Sequence, residues 1–323
     1  MADEPISSPL VPVEDQVASA RVALGAAVAV VRAVSDALGG GAALSNLAEG
    51  LRWFGESVAP LARVVSAALP TVKETLAGLQ EIAESWRRRS FPPNVVDLPE
   101  LRMDALVALS DEGITVWTVP RPAIAARLLS ADSPQARRRV LGQSWRPILK
   151  DCADEAAKAV ASDHVDLARL LEQAIRAVQA GHTAAGQALA ASVLDALLST
   201  TFVESYRRDL VRHPRGNPKA KVMNHFDELT IGEAMVLRPI WFAYRPQDTH
   251  EQRAASSAFA RHATAHHIHG RQVSRRNAVQ AIMLGTALLS YIPVYDAARA
   301  ETDAFLASLS DDERAAYEVA TPE

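Results

Sequence analysis

The chain has 323 residues, of which 49% are hydrophobic and 22% are charged, and its formal net charge is −4. These values are typical of a globular protein with room for more than one domain, and they exclude a polycation that binds nucleic acid over its whole surface. One cysteine, Cys152, excludes an internal disulfide and favours a reducing compartment. The acidic start, MADEPISSPL, lacks the basic region followed by an apolar region that is typical of a signal peptide. The early apolar run 22–34 is too short to span a bilayer. We therefore expect a cytoplasmic protein with no membrane partner.

The first 90 residues are predicted to be a helical region behind a short tail. Residues 1–12 are polar and contain proline, so we expect them to be disordered. Apolar residues then recur at helical spacing, and residues 13–90 are predicted to form a helical bundle. The segment Phe91-Pro92-Pro93-Asn94 breaks this pattern and is the best candidate for a linker.

Residues 95–160 are predicted to be a mostly helical middle segment. The stretch ITVWTV, residues 114–119, alternates and contains β-branched residues, so it could be a short strand or an extended passage. It has no clear partner strand in the sequence, and we do not expect a sheet. The chain as a whole is therefore predicted to be all-α.

Residues 163–323 are predicted to be a second helical domain. Two amphipathic helices are separated only by Gly181-His182, which predicts that they pack antiparallel. We expect Pro239 to interrupt the apolar helix that contains it. The predicted helices of this domain cover residues 165–180, 183–202, 229–244, 252–266, 274–292 and, as a polar tail, 296–318.

A basic segment, YRRDLVRHPRGNPKAKVMNH at residues 206–225, follows the second of these helices. It contains Arg207, Arg208 and Arg212, and its prolines and glycine indicate a loop. Such runs are usually solvated surface connections. The alternative is a basic lip that attracts a polyanion towards a nearby cleft.

The most unusual stretch is FARHATAHHIHGRQ, residues 259–272, in which four of the nine histidines fall within eight residues. Arg261, His262 and His266 form an R-H-x-x-x-H pattern. A guanidinium is always charged and an imidazole exchanges a proton near neutral pH, so together they suit acid–base chemistry on a phosphodiester. Residues four apart share a helix face whereas residues five apart do not, so Arg261 and His266 act together only if the helix ends or distorts near His266.

This pattern resembles the HEPN (higher eukaryotes and prokaryotes nucleotide-binding) domains, in which an arginine and a polar residue precede a histidine. The glycine-then-alanine-rich stretch AGHTAAGQALAASVLDALL is also similar to the first helices of that family. The resemblance covers residues 163–292 and implies a four-helix bundle with the motif by its third helix. Here an insert would separate the second and third helices. His267 also satisfies the family's spacing.

The resemblance implies a metal-independent endoribonuclease that needs no cofactor and acts as a toxin or an antiviral defence factor. His266 would be the general base or acid, Arg261 would stabilise charge on the phosphate, and His262 would position the pair. Family members usually dimerise, which implies a homodimer, and an antitoxin or regulatory protein is a further implied partner. The residues assigned to RNA binding are Arg271, Arg275 and Arg276, together with Arg207, Arg208 and Arg212 of the basic segment.

Three other interpretations stay open. The chain could be a non-catalytic module of the same fold that binds RNA, a nucleotide or another protein. His262, His266 and His269 could bind a divalent metal, although no glutamate of an HExxH motif completes the set. The histidines could also serve only as hydrogen-bonding groups at a helix end.

Overall fold

A computed structural model of the protein describes residues 84–211, 229–245, 258–266 and 272–310. The predicted tail 1–12 and nearly all of the predicted helical region 13–90 lie outside these ranges. About 75% of the described residues are helical and none of them is in a strand, which confirms the all-α class.

The chain divides into two compact units, Met1–Trp86 and Arg87–Glu323, and the second unit holds the candidate site. Its described helices are, in chain order, α1 (Met103–Ser110), α2 (Pro122–Leu129), α3 (Pro134–Gln143), α4 (Trp145–Ala156), α5 (Val165–Gln179), α6 (Thr183–Thr201), α7 (Glu204–Val211), α8 (Ile231–Ala243), α9 (Arg261–His266) and α10 (Arg275–Ser308). A 3-10 turn, Ala157–Ala161, follows α4.

α10 is the central helix of this unit. Residues 277–289 are buried on every side of it, and α3, α4, α5, α6 and α8 pack around it. A helix that is apolar all round belongs in a protein core or a membrane. By length and composition α10 could cross a membrane, but 78% of its most apolar window is buried within the unit. Packing against neighbouring helices therefore accounts for its apolar surface.

Two prolines, Pro239 and Pro293, lie inside helices, and Pro239 was expected to interrupt its helix. α8 continues through Pro239, and α10 continues through Pro293, so the predicted helices 274–292 and 296–318 are one element as far as Ser308. Proline lacks the N–H that would bond to the carbonyl four residues earlier. In α8 that carbonyl belongs to Met235, and it accepts a hydrogen bond from Thr115 Oγ1 at 3.1 Å instead. The prediction of a break at Pro239 was therefore wrong.

α5 and α6 form a helical hairpin. Gly181, at φ +94°, ends α5, and the N–H groups of Gly181 and His182 bond back to Val178 and Ala177 in a Schellman motif. The helices approach closely at Gly186, where a Cβ would lie 2.4 Å from Val178 Cγ2. The small residue at position 186 is what permits this approach.

Residues 114–119 are not in a strand, and the backbone bends at Trp117 and Thr118, where Thr118 has φ +57°. Ile114, Val116 and Val119 are buried. The carbonyls of Glu112 and Gly113, just before the passage, accept hydrogen bonds from Gln280 Nε2 on α10 at 2.7 and 2.8 Å. Within the passage, the carbonyl of Val116 accepts a hydrogen bond from Asn94 Nδ2 at 3.0 Å, so side chains bond to backbone groups that no strand pairs with.

Candidate functional site

The motif residues Arg261 and His262 open α9, a helix of six residues. Residues 258–260, which were predicted to be helical, are not in the helix, and residues 251–257 lie outside the described ranges. Phe259, Ala260 and Ala263 are buried. α9 packs against α6 through these apolar residues, and Arg261 and His262 are half-buried.

A buried amide fixes α9 in place. Gln187 of α6 is fully buried, and its Nε2 donates to Thr264 Oγ1 in α9 and to the Gln272 carbonyl, both at 2.9 Å. Its Oε1 accepts from the backbone N–H of Ser274 at 3.4 Å, next to the start of α10. One side chain therefore connects α6, α9 and the residues that precede α10.

Arg261 is held by a carboxylate that sequence analysis did not select. Its Nη2 donates to Oδ2 of Asp195 in α6 at 2.6 Å, and the two side chains are 20% and 36% exposed. The hydroxyl of Tyr244, just after α8, donates to Oδ1 of Asp195 at 2.7 Å. Both carboxylate oxygens are thus engaged, and a charge-assisted bond of this length fixes the guanidinium firmly.

Tyr244 lies at the centre of this arrangement. The Arg261 guanidinium lies 5.8 Å from the centre of its ring, and the His262 ring meets it edge-on at 6.1 Å and 84°. We call Asp195, Tyr244, Arg261 and His262 the Asp195 cluster. Burial, and then the negative charge of Asp195, raise the pKa of Tyr244 well above its usual range. The phenol therefore stays protonated and keeps donating to Asp195.

The basic segment contributes one arginine to the surroundings of the cluster. The positive charges of Arg261 and of Arg207 in α7 both oppose the rise in the pKa of Tyr244. Arg208, the next residue of α7, is exposed. Arg261 alone is paired with Asp195 among the described residues, and Arg207 acts on the neighbouring phenol through its charge.

The remaining predicted residues fall into two groups. Arg275 and Arg276 of α10 contact Trp145 and Gly142, on the side of α3 and α4 rather than at the Asp195 cluster. The other group lies outside what the structure describes and consists of Arg212, His267, His269, Arg271 and the side chain of His266. The backbone of His266 is the last residue of α9.

Asp195 and Tyr244 hold Arg261 in position, and the sequence analysis did not identify either residue. A weak signal for Asp195 exists in SVLDALL, residues 192–198, where one carboxylate interrupts an apolar run in mid-helix. Such a charge is unfavourable near a core unless it is paired. Its partner, Arg261, lies 66 residues further along the chain, and no spacing rule connects the two.

The described residues contain no group of three histidine, cysteine or acidic side chains that could hold a metal ion. The triad His262, His266 and His269 lies partly outside those residues, so that interpretation is not tested. Comparison of the chain with protein-family models, curated proteins and solved structures found no match in any of the three. Any function has to be inferred from the residues of the Asp195 cluster and its neighbours.

Proposed function

We propose that the chain is a metal-independent endoribonuclease of the HEPN type, acting as a toxin or an antiviral defence factor. The observation that carries this proposal is the ion pair between Arg261 and Asp195, which orients a half-buried guanidinium beside His262, one helical turn before His266. A cation held in this way is pre-organised to stabilise charge that develops on a phosphate.

The reaction that suits these groups is attack of an RNA 2′-hydroxyl on the adjacent phosphorus. The 2′-oxygen forms a new bond to phosphorus while the bond to the 5′-oxygen breaks, which leaves a 2′,3′-cyclic phosphate and a 5′-hydroxyl. His266 would remove the 2′-hydroxyl proton or protonate the leaving oxygen. Arg261 would stabilise the non-bridging oxygens, and His262 would position both groups.

Asp195 is a positioning residue in this proposal. It occupies Nη2 of Arg261, and no other described residue accepts a hydrogen bond from that guanidinium. The remaining N–H groups of Arg261 could then serve a phosphate. Arg207, and with it the predicted Arg208 and Arg212, would attract the RNA towards the cluster. With one motif in each chain, two copies would line one cleft, so we expect a homodimer, regulated in cells by an antitoxin or another partner protein.

The test is cleavage of total RNA in the presence of EDTA by the wild type, by Arg261→Ala and by His266→Ala. Two matched controls are available, since Arg176 is an arginine on α5 that pairs with Glu172, and His182 is an exposed histidine at the start of α6. Arg176→Ala and His182→Ala should cleave like the wild type. Both motif variants should lose cleavage while their far-ultraviolet circular dichroism is unchanged, and the wild-type products should carry cyclic phosphate ends.

Cleavage that survives both motif substitutions would refute the proposed site. No cleavage by any form would refute the enzyme and favour the alternative, a non-catalytic module that binds RNA or a partner protein.

A further inference from the structure

Four arginines converge on the junction of α3 and α4, residues 142–145. The guanidinium carbons of Arg146 and Arg275 lie 4.4 and 4.5 Å from the centre of the Trp145 ring. Arg127 donates to Ser144 Oγ and to Gln143 Oε1, both at 3.1 Å. Arg276 lies across Gly142, where a Cβ would be 3.4 Å from its Cγ and Cδ. We call Arg127, Arg146, Arg275 and Arg276 the Trp145 arginine surface.

None of these four arginines forms an ion pair with a carboxylate that the structure describes. Other arginines of the unit do: Arg121 pairs with Asp151, Arg137 with Glu112, and Arg238 with Asp111. The hydrogen-bond partners of Arg127 are a neutral amide and a hydroxyl. Among the described residues, the positive charge of this surface is therefore concentrated and not neutralised by a carboxylate, although the whole chain is acidic.

The arrangement favours an anionic partner. Arg275 and Arg276 occupy the first two positions of α10, at the helix end where cationic side chains are disfavoured. Arg127, Arg146 and Arg275 are exposed. Stacking on Trp145 holds two guanidinium groups in fixed positions, and a fixed guanidinium can donate two parallel hydrogen bonds to one phosphate.

We infer that the Trp145 arginine surface binds the phosphate backbone of RNA, independently of base sequence and away from the Asp195 cluster. The choice of RNA as the polyanion rests on the proposed function. The surface itself rests on the four arginines and Trp145.

The test is binding of a fluorescein-labelled, 30-nucleotide single-stranded 2′-O-methyl RNA to the full chain, measured by anisotropy over a series of salt concentrations. This RNA lacks the attacking hydroxyl and cannot be cleaved by the proposed reaction. The variant is R146Q/R275Q, which should bind roughly tenfold more weakly at about 0.1 M salt, with a salt slope smaller by about 1.4, because two phosphate contacts are lost. The matched control is R169Q/R176Q, which removes the same charge from two exposed arginines that pair with Asp166 and Glu172 on α5.

A variant that binds as tightly as the control, with the same salt slope, would overturn the inference, and so would a wild type that does not bind this RNA at low salt. A protein that binds this RNA through the arginine surface but never cleaves RNA would support the inference and refute the proposed enzyme. If the wild type cleaves RNA but R146Q/R275Q binds RNA like the control, the proposed enzyme would be supported and the inference refuted.

Discussion

The ion pair between Asp195 and Arg261 permits a quantitative test that does not depend on any activity. Asp195→Asn keeps the shape of the side chain and a partner for the Tyr244 hydroxyl but removes the charge, and Arg261→Gln removes the opposite charge. If the pair is as the structure describes, these two substitutions should not be additive in their effect on the free energy of unfolding.

The expected coupling energy follows from the burial of the pair. Exposed ion pairs contribute about 0.2–1 kcal/mol, and breaking a buried pair costs about 3–5 kcal/mol. Arg261 is one-fifth exposed and Asp195 about one-third exposed, with 2.6 Å between Nη2 and Oδ2. We therefore expect a coupling of about 1–2 kcal/mol, between those limits.

Urea unfolding of the wild type, both single variants and the double variant, followed by circular dichroism, measures this coupling. The matched control is Asp166→Asn with Arg169→Gln, because that pair on α5 is largely exposed and should be additive. A coupling below about 0.3 kcal/mol for Asp195 and Arg261 would refute the description of the cluster, since additive sites agree within that error.

Three further predictions concern the core of the unit. Gly186→Ala places a Cβ against Val178 and should lower the free energy of unfolding, measured in urea, by about 1–3 kcal/mol. Gly142→Ala is the control and should change that free energy little, because the nearest atom to its Cβ would be 3.4 Å away. The raised pKa of Tyr244 means that the unfolded chain ionises this phenol first, so stability should fall above about pH 10, and the fall should be smaller in Tyr244→Phe. Burial raises the pKa of Cys152 to about 12. A thiol reagent at pH 8 should therefore label the folded protein very slowly and the urea-unfolded protein at once. Rapid labelling of the folded protein would contradict this burial.

Much of the helical framework was predictable because local periodicity determines it. The predicted helices 165–180 and 183–202 differ from α5 and α6 by one residue each at their C-terminal ends. Gly181 ends α5 by a Schellman motif, and the mainly apolar segment 277–289 indicates a buried helix. Each of these features is encoded within a few consecutive residues.

The features that were not predictable depend on partners far away in sequence. α8 continues through Pro239, which cannot donate a hydrogen bond to the carbonyl of Met235. Thr115 donates to that carbonyl instead, and it lies 120 residues earlier in the chain. Arg261 was recognised as a candidate, but the carboxylate and phenol that orient it come from α6 and from the residue after α8. Residue type and spacing can select a reactive group, but the fold decides which distant side chains hold it.

The buried amide of Gln187 has a consequence for how the site can open. A helix of six residues is not stable alone in water, so α9 depends on its attachment to α6. Because Gln187 bonds to both α9 and the residues before α10, separating α9 from the unit would expose a fully buried polar group in its interior. α9 should therefore exchange its amide hydrogens with solvent in the same cooperative opening as the core helices rather than by local fraying. In that case the Asp195 cluster exists only while the whole unit is folded.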